Sequence, residues 1–216
     1  MGTGAGSDLA GLHVLADVDP RWRHAATRQA EAACAGGARV VQLRAKDAPD
    51  EDVLRVGQIL RRLTREAGVL FFVNDRFDLA LACDADGVHL GQDDLPPARL
   101  PAGARERLRV GLSTHDLEQA ERARGEGVDY VALGPVFGTT SKDSPYDARG
   151  LPLVRAVATR VAPLPLIAIG GIDATNAADV TAAGASGVAV ISCVANAEDP
   201  VAAVENLVAA LGERNG

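Results

Sequence analysis

The stretch LFFVNDRFDLALACDADGVHLGQDD, residues 70–94, contains two apolar runs separated by a short amphipathic segment. The first run starts near Leu70 and the second near Gly87, and both are typical of buried β-strands. The segment between them, 76–83, is typical of a short helix. Two strands joined through a helix are parallel, so this stretch predicts a βαβ unit with a helix covering one face of the sheet.

The same alternation extends along the whole chain. Six further strand candidates, which bring the total to eight, begin near residues 12, 39, 109, 130, 165 and 187. Further helix candidates lie at 24–36, 51–67, 116–126, 150–161, 174–183 and 199–212, whereas 95–101 is a short stretch with prolines. Eight such units predict a closed (β/α)8 TIM barrel. The alternative, a doubly wound open sheet, usually has fewer strands.

The composition indicates one globular domain. No linker or low-complexity segment divides the 216 residues, so we expect a flexible terminus at 1–8 and a single barrel domain at 9–216. The net charge of −7 argues against a non-specific nucleic-acid surface, although a local basic cluster can still bind an anion. The sequence leaves open whether the chain forms a homo-oligomer.

The cysteines and the apolar runs bear on location. Three widely spaced cysteines without a CxxC motif indicate neither a disulfide framework nor a zinc site, which favours a reducing cytoplasmic location. No apolar run approaches the length of a membrane span, and the first seven residues lack the order of a signal peptide. We therefore expect no membrane partner.

Lysine occurs at two positions only, Lys46 and Lys142, against twenty arginines. Each follows a predicted strand. Lysine is a compact point charge and arginine a planar fork, so the two are not interchangeable at a tight anionic site. A biased genome would explain the scarcity of lysine without any role, but the two positions point to a phosphate site.

Polar side chains gather where the predicted strands end, which is where the active site of a parallel barrel lies. Gln42, Arg44 and Lys46 are spaced by two and share one face of strand two, whereas Val41 and Leu43 face the helices. An amide and two cations at the barrel mouth need a polar or anionic partner. A ligand phosphate would supply it, and so would an internal salt bridge to Asp17 or Asp75.

Two carboxylates follow neighbouring strands. Asp75 comes after strand three, and Asp94, with Asp93 beside it, comes after strand four. Such a pair suits Mg²⁺ held between the protein and a ligand pyrophosphate, because Mg²⁺ takes one or two carboxylates and keeps phosphate and water ligands. Aspartate is also a favoured N-cap, so the same pattern fits two helix starts.

The segment Gly138–Lys142 carries three hydroxyl groups and a cation in five residues. Together with Gly170-Gly171 and the backbone after Ile191, it could cradle a phosphate, since phosphate sites recur after strands seven and eight of this barrel. His115 follows strand five and could contact a ligand, but no serine or cysteine pairing indicates a catalytic triad. His89 lies within strand four and reads as an interior histidine.

Six motifs in order resemble the thiamine phosphate synthase family, from about Leu12 to Ser192: VQLRAKD, FFVNDRFDLALACDADGVHLGQDD, GLSTH, DYVALGPVFGTTSKD, IAIGGI and GVAVIS. The resemblance implies a (β/α)8 barrel that joins a hydroxymethylpyrimidine pyrophosphate to a thiazole phosphate and releases pyrophosphate. Ala45, Gly138 and Ser141 replace a glutamate, a proline and a threonine common in the family. None of these departures removes a ligand group.

The resemblance also implies the roles of individual residues. The pyrimidine pyrophosphate would be held by Gln42, Arg44, Lys46, Asn74, Ser113 and Lys142. The thiazole phosphate would be held by Thr139, Thr140, Ser141, Gly171, Ile191 and Ser192. Asp75 and Asp94 would bind Mg²⁺.

The implied reaction is dissociative: the aminopyrimidine expels pyrophosphate, and the thiazole nitrogen captures the resulting cation. It needs charge stabilisation and a water-poor pocket rather than a strong base, with loops 45–50 and 138–149 as candidate lids. Two alternatives remain. One is a related barrel that isomerises a thiazole phosphate through an acid or base such as His115, and the other is a non-catalytic binder of phosphorylated thiamine precursors.

Overall fold

Eight parallel strands close into a barrel in the computed structural model, which describes residues 7–138 and 147–212. The strands are β1 Gly11–Asp17, β2 Val40–Arg44, β3 Leu70–Asn74, β4 Gly87–Leu90, β5 Arg109–Thr114, β6 Tyr130–Leu133, β7 Leu166–Ile169 and β8 Gly187–Val190. Each pairs with the next, and β1 pairs with β8 to complete the ring. The predicted (β/α)8 barrel is confirmed.

The helices that follow the strands are α1 Ala26–Ala35, α2 Asp50–Ala67, α3 Phe77–Ala82, α4 Ala102–Arg107, α5 Leu117–Gly125, α6 Gly150–Val161, α7 Ala177–Ala182, α8 Ser192–Ala195 and α9 Pro200–Ala210. Two short 3-10 helices span Ser7–Leu9 and Pro97–Arg99. Within the two described ranges, every helix is too short or too polar to cross a lipid bilayer.

Local sequence signals explain where the longer helices begin and end. The first turn of α2 carries three acidic residues, which complement the positive end of the helix dipole. Gly68 ends α2 in the left-handed conformation, at φ 70°. At the start of α9, the Asp199 carboxylate accepts hydrogen bonds from the backbone N–H groups of Val201 and Ala202, and Pro200 occupies the first turn.

Two sequence-based expectations were incomplete. The proline-bearing stretch 95–101 carries the 3-10 helix Pro97–Arg99 and leads into α4, which the sequence did not predict because six residues are too few for a clear helical period. Strand eight was expected to end in Ser192, but β8 ends at Val190 and Ser192 is the first residue of α8.

The core has two layers, one outside and one inside the barrel. Val41 and Leu43 belong to the large outer cluster that the helices cover, as their spacing predicts. Val40, on the opposite face of β2, packs inside the barrel with residues of the other strands, including Leu15, Phe72, Tyr130 and Ile167. Gln42 and Arg44 alternate with Val41 and Leu43, so they also face inward, toward the carboxyl end.

Glycines make room for the two aromatic rings inside the barrel. A Cβ atom on Gly87 would lie 2.3 Å from the Phe72 ring, and one on Gly111 would lie 2.1 Å from the Tyr130 ring. These distances are far below van der Waals contact. Phe72 and Tyr130 therefore occupy the space that a neighbouring strand leaves by carrying glycine, and the barrel interior is a packed core.

Candidate active site

Strand β2 delivers its polar residues to the carboxyl mouth of the barrel. Gln42 and Arg44 are buried, whereas Lys46 lies two residues beyond the strand and is exposed. The Oε1 atom of Gln42 is buried and has no hydrogen-bond partner among the described residues. An unsatisfied buried acceptor costs about 1–3 kcal/mol, so this amide is set up to accept a hydrogen bond from a ligand.

Arg44 forms a buried ion pair with Asp17 across strands β1 and β2. This is one of the internal salt bridges that the sequence left open. The other oxygen of Asp17 accepts a hydrogen bond from the backbone N–H of Asp19, at 3.0 Å. Arg44 also lies close enough to Asp75 to favour its charged form. The ion pair with Asp17 thus fixes the guanidinium, whose positive charge also acts on the Asp75 carboxylate at the carboxyl mouth.

Asp75 and Asp94 follow β3 and β4, and their carboxylates lie close enough for Asp94 to raise the pKa of Asp75. Burial raises the pKa of Asp75 to about 6, and the neighbouring Asp94 carboxylate acts in the same direction, whereas Lys46 and Arg44 oppose the shift. A divalent cation between the two carboxylates would relieve this repulsion. Among the described residues there is no cluster of three or more metal-ligating side chains.

The geometry bears on the alternative that these aspartates are helix caps. Helix α3 has Arg76 at its N-cap, without a side-chain hydrogen bond to the helix, so Asp75 does not cap it. Instead Asp75 adopts the left-handed conformation, at φ 65°. Its backbone N–H donates a hydrogen bond to the backbone carbonyl oxygen of His89 at 2.7 Å. Asp94 accepts a 2.6 Å hydrogen bond from the backbone N–H of Gly91, which holds its own turn.

Next to the carboxylates, the barrel mouth opens into a cleft of about 610 Å³, solvent at its entrance included. Ser113, Thr114 and His115 from the end of β5 form one wall. The remaining lining comes from the ends of β6, β7 and β8: Ala132, Gly134, Pro135, Ile169, Gly170, Gly171, Ile172, Ala189, Val190, Ile191 and Ser192. The cleft is mainly apolar, and backbone groups and hydroxyls lie at its rim.

The end of β7 packs closely against the segment that follows β6. The backbone N–H groups of Val136 and Phe137 donate to the carbonyls of Ile169 and Gly170, at 2.9 and 3.0 Å. Gly171 has φ 63°, and a Cβ atom there would lie 2.5 Å from the carbonyl oxygen of Gly138. Glycine is therefore required at 171, and the contact brings the described start of the Gly138–Lys142 segment to the cleft.

A hydrogen-bonded chain runs from the barrel interior to the cleft. The two ring nitrogens of His89 lie 2.7 Å from the Tyr130 hydroxyl and 2.8 Å from the Ser113 hydroxyl. Gln92 donates from Nε2 to the Ser113 carbonyl at 2.7 Å. The position of His89 within strand four predicts an interior histidine, which it is, but no local sequence signal indicates that it orients Ser113.

The structure thus assembles most of the sequence-predicted residues at one mouth. Asn74 and Asp75 end β3, and Ser113, Gly171, Ile191 and Ser192 line the cleft. The predictions for Thr139, Thr140, Ser141 and Lys142 lie outside the described residues. Ile169 and Ala189 also line the cleft, although they were not among the predicted site residues. Their spacing of two from Gly171 and Ile191 was the available signal, since alternate strand residues share a face.

The closed parallel barrel, with its cleft at the carboxyl ends of the strands, defines the class of (β/α)8-barrel proteins, whose active sites lie at that face. A family model described as thiamine monophosphate synthase matches residues 12–194. The chain belongs to that family, and it is an enzyme of the transferase class.

Individual relatives agree with the family match. The thiamine-phosphate synthase of Roseiflexus sp. (strain RS-1) is 46% identical over 196 residues, covering 91% of this chain and 83% of the relative. The thiamine-phosphate synthase of Chloroflexus aurantiacus is 48% identical over 177 residues, covering 82% of this chain and 81% of the relative. The structure of a thiamine phosphate pyrophosphorylase from Pyrococcus furiosus matches with a TM-score of 0.85 at 38% identity, covering 97% of this chain and 99% of that chain.

Proposed function

We propose that this enzyme joins 4-amino-2-methyl-5-hydroxymethylpyrimidine pyrophosphate to a thiazole phosphate, giving thiamine phosphate and pyrophosphate. The bond between the pyrimidine methylene carbon and the pyrophosphate oxygen breaks, and its electron pair leaves with pyrophosphate. The thiazole nitrogen lone pair then forms the new C–N bond. No protein nucleophile is needed, which agrees with the absence of a triad in the sequence pattern.

The observation that carries the proposal is the meeting of Asp75 and Asp94 beside Arg44 and Lys46. Two neighbouring carboxylates, with two cations close by, suit a pyrophosphate held together with a divalent ion. Asp75 and Asp94 would hold Mg²⁺, which neutralises charge on the leaving group when bound. Arg44 and Lys46, with Lys142 by the family resemblance, would orient the pyrophosphate and stabilise its developing charge.

The buried amide of Gln42 supports the placement of the pyrimidine ring. Its unsatisfied Oε1 faces the barrel interior, where the exocyclic amino group of an aminopyrimidine would be a matching donor. Asn74 ends β3, the strand beside β2, while His89 contacts the Ser113 hydroxyl and Gln92 donates to the Ser113 carbonyl. A ring held by several polar groups in a mainly apolar site keeps one orientation.

The apolar cleft supports a place for the thiazole phosphate. The apolar side chains of Ile169, Ala189 and Ile191 could pack against the thiazole ring. This packing would exclude water while the pyrimidine cation exists. Backbone groups at Gly171 and Ser192 suit its phosphate. Thr139, Thr140 and Ser141 join this group on the family resemblance alone. Free cysteines at positions 34, 83 and 193 fit the predicted cytoplasmic location.

An end-point assay with both substrates tests the proposal, with Mg²⁺ in one reaction and EDTA in another, following thiamine phosphate. We expect product only with the metal. Turnover of the thiazole phosphate alone would instead indicate an isomerase, and binding of both compounds without product would indicate a non-catalytic binder.

A further inference from the structure

A second polar pocket lies at the opposite end of the barrel, where strands β3 to β6 begin. We call it the amino-face pocket and define it by five arginines that line it: Arg61, Arg65, Arg105, Arg107 and Arg109. It is an open groove with about 1030 Å³ of space, open solvent included. Nothing in the proposed reaction uses it, because the substrates sit at the carboxyl mouth.

Carboxylates also line the pocket, and two of them, Asp86 and Asp129, hold strand starts. Asp86 accepts hydrogen bonds at Oδ2 from the backbone N–H of Phe71 and from Arg61 Nη1, both at 2.8 Å. Asp129 accepts a 2.7 Å hydrogen bond from the backbone N–H of Val110. Every arginine of the pocket also has a carboxylate within 3.9 Å: Arg61 pairs with Asp86, Arg65 and Arg107 with Asp84, Arg105 with Asp129 and Arg109 with Asp8. These acids therefore engage part of the donor capacity of the arginines, and the unpaired guanidinium nitrogens are what remains.

Several guanidinium nitrogens in the pocket have no acceptor. Arg61 Nε, Arg105 Nη1 and Arg109 Nη1 are buried without a hydrogen-bond partner in the part of the chain that the structure describes. Arg105 Nη1 lies 3.9 Å from Asp129 Oδ2, and Arg107 Nη2 lies 3.7 Å from Asp84 Oδ1, both beyond hydrogen-bond distance. Buried charged donors without acceptors are costly, so the pocket is incomplete as it stands.

We propose that the amino-face pocket is a second ligand site that binds a small phosphate-bearing anion. A tetrahedral oxyanion offers several acceptor atoms at once, and guanidinium forks bind phosphate oxygens in pairs. Arg105 and Arg107 would supply the principal contacts, because their guanidiniums are the least engaged by carboxylates. The site bridges α2 and α4 and is separated from the substrates by the length of the barrel.

Inorganic phosphate is the probe, and the readout is the side-chain Nε–Hε resonance of Arg61 in the 15N-labelled full-length protein. We expect a saturable shift of this resonance. The double variant Arg105→Gln/Arg107→Gln should weaken binding at least ~10-fold, since charge-assisted hydrogen bonds are lost. Its matched control, Arg28→Gln/Arg55→Gln, removes two exposed helical arginines elsewhere and should leave the titration unchanged.

Two results would overturn the inference. One is a shift no larger than that given by chloride at equal ionic strength, and the other is the same titration in wild type and the double variant. If the double variant does not fold, Arg107→Gln alone serves, because its side chain is 61% exposed. Failure of the thiamine phosphate assay would not alter the Arg61 readout, so the two proposals fail separately.

Discussion

Asp75 combines three features that are uncommon in a single aspartate. It has a left-handed backbone at φ 65°, it lies beside a second carboxylate, and its pKa is raised to about 6 by burial and by that neighbour. Each feature costs free energy in the isolated protein, and such costs concentrate at functional sites. Together they place Asp75 at the centre of the proposed chemistry.

Replacement of Asp75 by asparagine should weaken the response of activity to Mg²⁺. An amide removes the negative charge but keeps the shape, so we expect the Mg²⁺ concentration for half-maximal activity to rise by ~10-fold or more. Asp93→Asn is the control, because Asp93 is exposed and lies next to Asp94. A metal titration of Asp75→Asn equal to that of wild type would make Asp75 a structural residue.

Lys142 carries a prediction that rests on the sequence, since it lies outside the described residues. Lys142→Ala should reduce kcat by ~10²-fold or more, the typical effect of losing one preorganised charge stabiliser. Lys142→Arg tests the reason why lysine is retained there, because a planar fork should restore the activity only in part. Steady-state kinetics within about twofold of wild type for Lys142→Ala would remove it from the mechanism.

At the scale of strands, the barrel interior depends on pairing a glycine with an aromatic ring on a neighbouring strand. Gly111→Ala would place a Cβ atom 2.1 Å from the Tyr130 ring, and the ring is fully buried and hydrogen-bonded to His89. We expect the free energy of unfolding to fall by about 1–3 kcal/mol, as for other overpacked cores. Denaturant unfolding measures this change.

The control for that experiment is Gly103→Ala in helix α4, where nothing lies within 4 Å of the added Cβ. Alanine favours a helix over glycine by up to about 1 kcal/mol, so stability should stay the same or rise. Equal losses in the two variants would mean that the Tyr130 contact is not the cause.

Because Tyr130 supports His89 and Ser113, Gly111→Ala should also lower activity.

For the whole molecule, the fully buried His13 predicts a loss of stability in acid. Burial lowers the pKa of His13 from 6.5 to about 4, and the hydrogen bond to the Leu9 carbonyl only partly opposes it. The unfolded chain then binds a proton between about pH 6.5 and 4 that the folded protein does not. Stability should therefore fall by roughly 3 kcal/mol as the pH drops through this window.

His13→Gln isolates that contribution, because glutamine can still donate to the Leu9 carbonyl but does not titrate. We expect the difference in unfolding free energy between wild type and variant to change with pH between 4 and 6.5. The unfolding free energy of the variant must be subtracted from that of wild type, because Asp75 affects both proteins. Its raised pKa makes stability increase as the pH falls from about 6 to 3.8, which is opposite to the effect of His13. A difference that is constant with pH would contradict the prediction.

The carboxyl mouth and the amino-face pocket lie at opposite ends of the barrel and differ in their polar residues. The carboxyl mouth combines Asp75, Asp94 and Arg44 with a mainly apolar cleft, whereas the amino-face pocket consists of arginines and acids that hold strand starts. Parallel strands make this separation possible, because all their carboxyl ends reach one face. Substrate chemistry and the proposed anion site can therefore be tested independently.

The amino-acid sequence by itself determined the order of the eight strands and of the helices other than α4 and α8, because buried parallel strands are apolar throughout and contrast with the amphipathic helices around them. It also placed Gln42, Asp75 and Ser113 at strand ends. What it could not determine is which groups touch. The Arg44–Asp17 ion pair, the proximity of Asp75 to Asp94 and the amino-face pocket join residues distant in the chain. Only closure of the barrel sets those distances, because side-chain contact depends on strand register and tilt, which no local pattern encodes.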